Sequence, residues 1–252
     1  MAKLPIGVQL YTVRDKTEKD FPGTLKALAR IGYKGVVLAG YGNLKSAGEV
    51  KKALTDAGLQ VCGAHVGIEA LEADLNKVLD EHELLGNRFI VIPWMDEKRR
   101  KDAAGWKQVA QSLNRIGASC RERGFTLCYH NHSFEFEKFD GKTGLDILWE
   151  NSDANLVKSE LDLFWVKHGG ADPAAYLSKL GARAPLVHLK DMTPDRKFAE
   201  VGNGTIDWRP ILDIAVKNGA KWGIVEQDDC YGKPTLDAVR TSFENLKKIG
   251  AV

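Results

Sequence analysis

Gln9-Leu-Tyr-Thr-Val-Arg14 carries the chain out of its first strand-like run, Pro5–Tyr11, and holds no glycine cluster. That feature separates two architectures. An open, doubly wound parallel sheet usually places a Gly-rich phosphate loop directly after its first strand, where the backbone must approach a pyrophosphate closely. Outward from this point, short apolar runs alternate with amphipathic segments along the whole chain. The runs are Pro5–Tyr11, Gly35–Ala39, Gln60–His65, Arg88–Pro93, Thr126–Asn131, Leu156–Asp162, Leu186–Lys190 and Trp222–Gln227, eight in all. They carry Val, Ile and Leu on both faces, as strands of a parallel sheet covered on both sides do. Spread over 252 residues, they define repeats of about 31 residues, the size of one βα unit, and the total is close to the roughly 250 of a complete barrel. The pattern predicts an α/β fold: a (β/α)₈ TIM barrel, eight parallel strands inside an outer ring of helices.

The segments between the strands read as helices. Ala104–Arg123 sets Trp106, Val109, Leu113, Ile116 and Cys120 on one stripe, and Pro234–Ile249 does the same with Leu236, Val239, Phe243 and Leu246. Pro234 suits the first turn of its helix, Asp172-Pro173 reads as an N-cap and first-turn proline, and Gly32 and Gly58 suit helix ends. No linker or shift in composition divides the chain, so one domain is expected over residues 1–252.

Composition narrows the function classes. A net charge of +2 and scattered Lys and Arg give no basic stripe for a nucleic acid. The basic run Lys98–Lys101 reads as a solvated loop or helix start. The four cysteines are far apart and form no CxxC pair, which suits free buried thiols in a reducing compartment rather than disulfides or a structural zinc. The N-terminal segment has no apolar leader core, and no stretch nears the roughly 20 apolar residues of a membrane span. A cytoplasmic location without membrane contact is the expectation.

In such barrels the active site forms at the C-terminal ends of the strands. The fifth run ends His130-Asn-His132, the sixth Glu160-Leu-Asp162, the seventh His188-Leu-Lys190-Asp191 and the eighth Glu226-Gln-Asp228. Alternation along a strand puts each i, i+2 pair on one face. Four consecutive strands therefore deliver imidazoles and carboxylates to one mouth, a donor set without thiolate that suits one divalent ion, Mn²⁺, Co²⁺, Mg²⁺ or Zn²⁺. Taken singly, each has a plainer role: a hydrogen-bonded histidine, or an N-cap at Asp162 or Glu226. Their joint placement favours the metal. Gln9, Tyr11, His65, Trp94 and Trp165 are expected to bind substrate, since aromatic faces pack on the C–H surface of a sugar; the two tryptophans also suit bulky caps on the barrel. Lys190 is either catalytic or paired with Asp191. His82 and His168 read as surface residues. Gly202-Asn-Gly204 reads as a turn ahead of a helix, and no Arg/Lys cluster for phosphate stands out, which favours an unphosphorylated sugar or polyol.

The stretches Gly7-Val-Gln-Leu-Tyr11, Tyr129-His-Asn-His132, Glu160-Leu-Asp-Leu-Phe-Trp165, Val187-His-Leu-Lys-Asp191, Gly202-Asn-Gly-Thr-Ile-Asp-Trp208 and Glu226 resemble the xylose isomerase-like barrels, which include sugar phosphate isomerases/epimerases. The resemblance implies a metal held by Glu, Asp, His and Glu from strands five to eight. Asp162, His188 and Glu226 match three of these positions. The fifth strand departs, leaving His130 or His132 as the fourth ligand, and is similar to inosose dehydratase-like members; Val37 departs at strand two. The implied chemistry is metal-assisted removal of a proton next to a carbonyl, with an enediolate stabilised by the ion. This gives a metal-dependent isomerase or epimerase of a ketose or keto-sugar, with a keto-sugar or inosose dehydratase or hydratase as the alternative. Glu226 is the implied base, and Lys190 or a fifth-strand histidine such as His132 the acid. The implied partner is a small sugar or polyol, and assembly into a homo-oligomer is common for such barrels. Apurinic-site endonucleases share the barrel but use more His ligands than a chain with six His supplies, and a sugar-binding barrel without chemistry is the non-catalytic alternative.

Overall fold

The computed structural model describes residues 3–251. Met1 and Ala2, which begin the segment searched for a leader, and Val252, the end of the expected domain, lie outside the described residues. The barrel strands are β1 (Ile6–Gln9), β2 (Gly35–Leu38), β3 (Gln60–His65), β4 (Phe89–Ile92), β5 (Thr126–His130), β6 (Val157–Asp162), β7 (Leu186–Leu189) and β8 (Trp222–Val225). They close in the order β1-β8-β7-β6-β5-β4-β3-β2, every pair parallel. Each lies within its expected run. Several of the expected runs overshoot at the C-terminal end, because the residues there leave the sheet to build the mouth: Leu10–Val13, for example, turns into a 3₁₀ helix.

The outer helices bury the stripes their spacing predicts. Trp106, Val109, Leu113, Ile116 and Cys120 are buried along Ala103–Glu122. The last helix is Thr235–Lys248, and Pro234 precedes it as the capping residue instead of lying in its first turn. Asp172 accepts from Ala175 N as an N-cap. Gly32 closes Phe21–Ile31 at φ +124°, where a Cβ would also stand 2.6 Å from the Phe243 ring. Cys62, Cys120 and Cys128 are buried free thiols, and Cys230 is half-buried. Among the described residues no helix is long and apolar enough to cross a membrane.

Inside the ring, Val37, Cys62, Val91, Cys128, Leu186 and Ile224 form an apolar plug. Two residues further along the same strands, β5, β7 and β8 present His130, His188 and Glu226. β3 reaches this layer by a different route. Its pairing with β2 runs Val36↔Val61 and then Val37↔Gly63, so one extra residue bulges at Cys62. A Cβ on Gly63 would meet Leu186, Val91 and Val37 of the plug, whereas Ala64 packs into the outer core. The bulge flips the alternation, and His65 faces inward.

Candidate active site

Above the plug lie two polar layers. The lower contains Gln9, His65, His130, Glu160, His188 and Glu226. Glu160 is fully buried at its centre. Its Oε2 is 2.7 Å from His65 Nε2, 3.2 Å from His130 Nδ1 and 3.1 Å from His188 Nε2. His188 Nδ1 lies 3.0 Å from Glu226 Oε2. An ionised carboxylate only accepts, so Nδ1 donates to Glu226. The upper layer contains His132, Asp162, Lys190 and Asp228. Lys190 Nζ is fully buried and bridges Asp162 Oδ2 at 2.9 Å, Glu226 Oε2 at 2.7 Å and Asp228 Oδ2 at 2.9 Å. The Trp165 and Phe198 rings stand 5.4 and 5.5 Å from the same ammonium.

The electrostatics follow from this packing. Burial alone would raise Glu160 and Glu226; His188 and His65 beside the first, and Lys190 and His188 beside the second, hold both well below the usual carboxylate range. Burial disfavours charge on His188, yet Glu160 and Glu226 outweigh it and push the imidazole up to about 10. Lys190 is likewise held above its ordinary value against burial by Asp162, Glu226 and Asp228. Asp228 is pushed up to about 6 by burial and the neighbouring Glu226 charge. His132 is pushed down to about 2 by burial, with His130 and Lys190 adding to it.

This donor set fits a cation. Two overlapping groups bring one ligand atom from each member within 4.8 Å of all the others: His65, His130, Glu160 and His188, and His130, Asp162, His188 and Glu226. His130 Nδ1, His188 Nε2 and Glu160 Oε1 are buried and make no hydrogen bond. Three buried carboxylates, Glu160, Asp162 and Glu226, still outnumber the Lys190 ammonium and the protonated His188 imidazole, and uncompensated buried charge is costly. His130 is thus the fifth-strand residue that joins the cluster; His132 belongs to neither group.

A cavity of about 450 Å³ opens above the cluster. Its polar lining is His65, His130, His132, Glu226 and Asp228, and its aromatic lining is Tyr11, Trp94, Trp165 and Phe198. Trp94 and Tyr11 stay 49% and 44% exposed at the rim, so Trp94 walls the cavity instead of plugging the barrel. No Arg or Lys is among the lining residues.

Several expectations need correction. Gln9 does not line the cavity; it is fully buried, its amide nitrogen 3.2 Å from His65 Nδ1 and its oxygen accepting from Tyr11 N. Lys190 does not pair with Asp191, because adjacent strand residues face opposite ways. Asp191 instead accepts from the backbone N–H groups of Met192, Gly202, Gly204 and Ile206 and from Trp208 Nε1. The Gly202–Gly204 turn therefore binds a carboxylate of this chain. His132 is kept neutral by burial and lines the cavity. His82 is buried, not on the surface, because it shares the stripe of Leu79 and Leu85 at three-residue spacing. His168 is half-buried. Sequence reasoning set Glu160 and Asp228 at the mouth but chose neither as a ligand or catalytic group, although each stands two residues from an assigned ligand, and missed Phe198, which hangs over the mouth from the hairpin Asp191–Met192 with Phe198–Ala199.

The sequence pattern of the xylose isomerase-like TIM barrels matches residues 25–249. The chain belongs to that family. It is 25% identical over 264 aligned residues, 88% of either chain, to an inosose dehydratase of Clostridium botulinum (strain Alaska E43, type E3). Among solved structures, a sugar phosphate isomerase/epimerase from Parabacteroides distasonis superposes with a TM-score of 0.89 at 24% identity, covering 100% of this chain and 96% of that one. The IOLI protein with a bound zinc atom shares the fold with a TM-score of 0.76 at 12% identity, covering 98% of each chain.

Proposed function

We propose that the chain is a metal-assisted carbon–oxygen lyase that removes water from a keto-sugar or keto-polyol, or adds it back. One observation carries this reading: Glu226 and Asp228 stand two residues apart after β8, both line the cavity, and both are tied to Lys190. Elimination next to a carbonyl needs one base for the α-proton and one acid for the departing hydroxyl. Carboxyl groups with divergent proton affinities divide those roles. Glu226, ionised beside Lys190, takes the α-proton. Asp228 gives its proton to the β-hydroxyl, which leaves as water. The C–H and C–O bonds break, a C=C bond forms, and the proton on Glu226 returns through solvent to Asp228, with no net redox change.

Lys190 keeps its proton and fixes both carboxylates. The two overlapping His and carboxylate groups are the residues that would hold a divalent ion, which when bound polarises the substrate carbonyl and stabilises the charge left by proton loss. Tyr11, Trp94, Trp165 and Phe198 pack on C–H faces and exclude water. A cavity lined by carboxylates and aromatics suits an uncharged substrate. The similarity to inosose dehydratases supports the same class. Isomerisation or epimerisation through the same enediolate is the second reading, favoured by the same two carboxylates, Glu226 and Asp228, which line one cavity and can return a proton to another carbon or face.

The test is incubation with inososes and simple ketoses in D₂O with Mn²⁺, Co²⁺, Zn²⁺ or Mg²⁺, followed by mass spectrometry. The expected product has lost one water. Asp228→Asn should retain α-proton exchange and lose dehydration by about 10²–10⁴-fold. Exchange with rearrangement and no loss of water would establish the second reading. Neither exchange nor water loss on any keto-sugar would sink both.

A further inference from the structure

We infer that the elimination takes place on one face: Glu226 and Asp228 meet the α-hydrogen and the β-oxygen from the same side, so the substrate is a ring keto-polyol whose α- and β-hydroxyls are trans. The inference rests on the lyase reading and adds its stereochemistry. Glu226 and Asp228 follow β8 two residues apart, and both line the cavity. Lys190 Nζ lies 2.7 Å from Glu226 Oε2 and 2.9 Å from Asp228 Oδ2. Two groups that grip a ring from opposite faces, each at near-attack distance, stand about 6–7 Å apart. The oxygens that share the Lys190 ammonium are closer together than that, so the pair reaches the substrate from one wall.

The far wall offers no equal partner. β4 faces β8 across the barrel, and the cavity residues that follow it are Pro93 and Trp94, neither of which exchanges a proton with a substrate. His65 and His130, on the strands either side of β4, lie against Glu160 in the lower layer. His132, beyond β5, is the remaining polar group on that side. Its Nδ1 is buried without a partner, so it lacks the third group that orients a working imidazole base from behind. In a six-membered ring, trans hydroxyls on adjacent carbons leave each carbon's hydrogen on the same face as its neighbour's hydroxyl. The α C–H and β C–O bonds of such a substrate both point at β8. Glu226 takes the α-proton, the C–H electron pair becomes the C=C bond, and the β-oxygen leaves as water with a proton from Asp228. A cis pair turns the β-hydroxyl to the far face, over Pro93 and Trp94, where nothing protonates it.

One compound can carry both options. An inosose epimeric at a single β-carbon has a trans α,β pair on one side of its carbonyl and a cis pair on the other, and loss of water from the two sides gives different diones. Both enantiomers are incubated with the wild-type enzyme in D₂O with the same metal ions, beside the all-trans inosose, and the products are assigned by NMR. The all-trans compound should lose water. Summed over both enantiomers of the epimer, water should leave the trans sides faster than the cis sides by about 10²-fold or more, the contribution of a positioned acid. Equal loss from the two sides would overturn the inference. So would loss from the cis sides with the all-trans inosose inert, which would put base and acid on opposite faces and leave the lyase reading standing. No loss of water from any of these compounds would overturn both.

Discussion

Replacing Asp191 by Asn should destabilise the protein severely without touching a substrate-facing group. The carboxylate is fully buried and has no cationic partner among the described residues. Oδ1 accepts from Met192 N at 2.8 Å and Ile206 N at 3.1 Å; Oδ2 accepts from Gly202 N at 2.9 Å, Gly204 N at 3.1 Å and Trp208 Nε1 at 2.8 Å. An asparagine has one carbonyl oxygen, so its amide must face one of these two sets. The less costly choice directs the NH₂ at the N–H groups of Met192 and Ile206, both buried. Two buried donors without acceptors cost about 1–3 kcal/mol each, so the expected loss is about 4 kcal/mol. For a chain of this size that is a fall in Tm of about 8–16 °C. Urea unfolding and calorimetry read both quantities, with exposed Asp207→Asn as a control expected within about 0.5 kcal/mol of wild type. A loss below about 1 kcal/mol for Asp191→Asn would mean that this carboxylate does not organise the β7–β8 loop, and the argument would fail.

Glu135 gives a pH-dependent counterpart. It is fully buried, accepting from Tyr129 OH and His132 N, and burial pushes it from 4.5 up to about 8 against those hydrogen bonds. Between pH 4.5 and about 8 the folded state keeps this proton and the unfolded chain does not, so stability falls as pH rises through that window and levels off above it. Glu135→Gln should therefore compare better with wild type in melts at about pH 9 than at about pH 5; a difference in Tm that does not change with pH would refute this. Trp94→Ala, at the exposed rim of the cavity, should raise KM about threefold to tenfold with kcat nearly unchanged, the pattern of lost uniform binding. A large fall in kcat at constant KM would place Trp94 in the chemistry instead.

The barrel was legible because both of its determinants are short-range. Each strand is an apolar run a few residues long, and each helix repeats its stripe at three and four residues. The polar mouth was legible for the same reason: His130, Asp162, His188 and Glu226 follow from period-two alternation at strand ends. What alternation cannot show is where it breaks. Counting from Cys62 in the plug, it puts Ala64 inside and His65 outside, and only the register of β2 against β3 reveals the bulge that reverses them. Gln9 fails differently. It does face inward, but its amide is used up on His65 and Tyr11, and such pairing between strands is invisible to a one-dimensional pattern. Lys190 and Asp191 were the opposite error, neighbours in sequence whose side chains point to different faces.

The fifth strand shows how one departure is compensated elsewhere in the chain. Where the family resemblance implies a glutamate, this chain has His130, which leaves the mouth one negative charge fewer. Glu160 returns that charge from β6, directly opposite His130 in the register. Lys190 then neutralises one charge of the remaining group, Asp162, Glu226 and Asp228. Glu226 and Asp228 are thereby held side by side at the floor of the cavity, where the proposed elimination needs both.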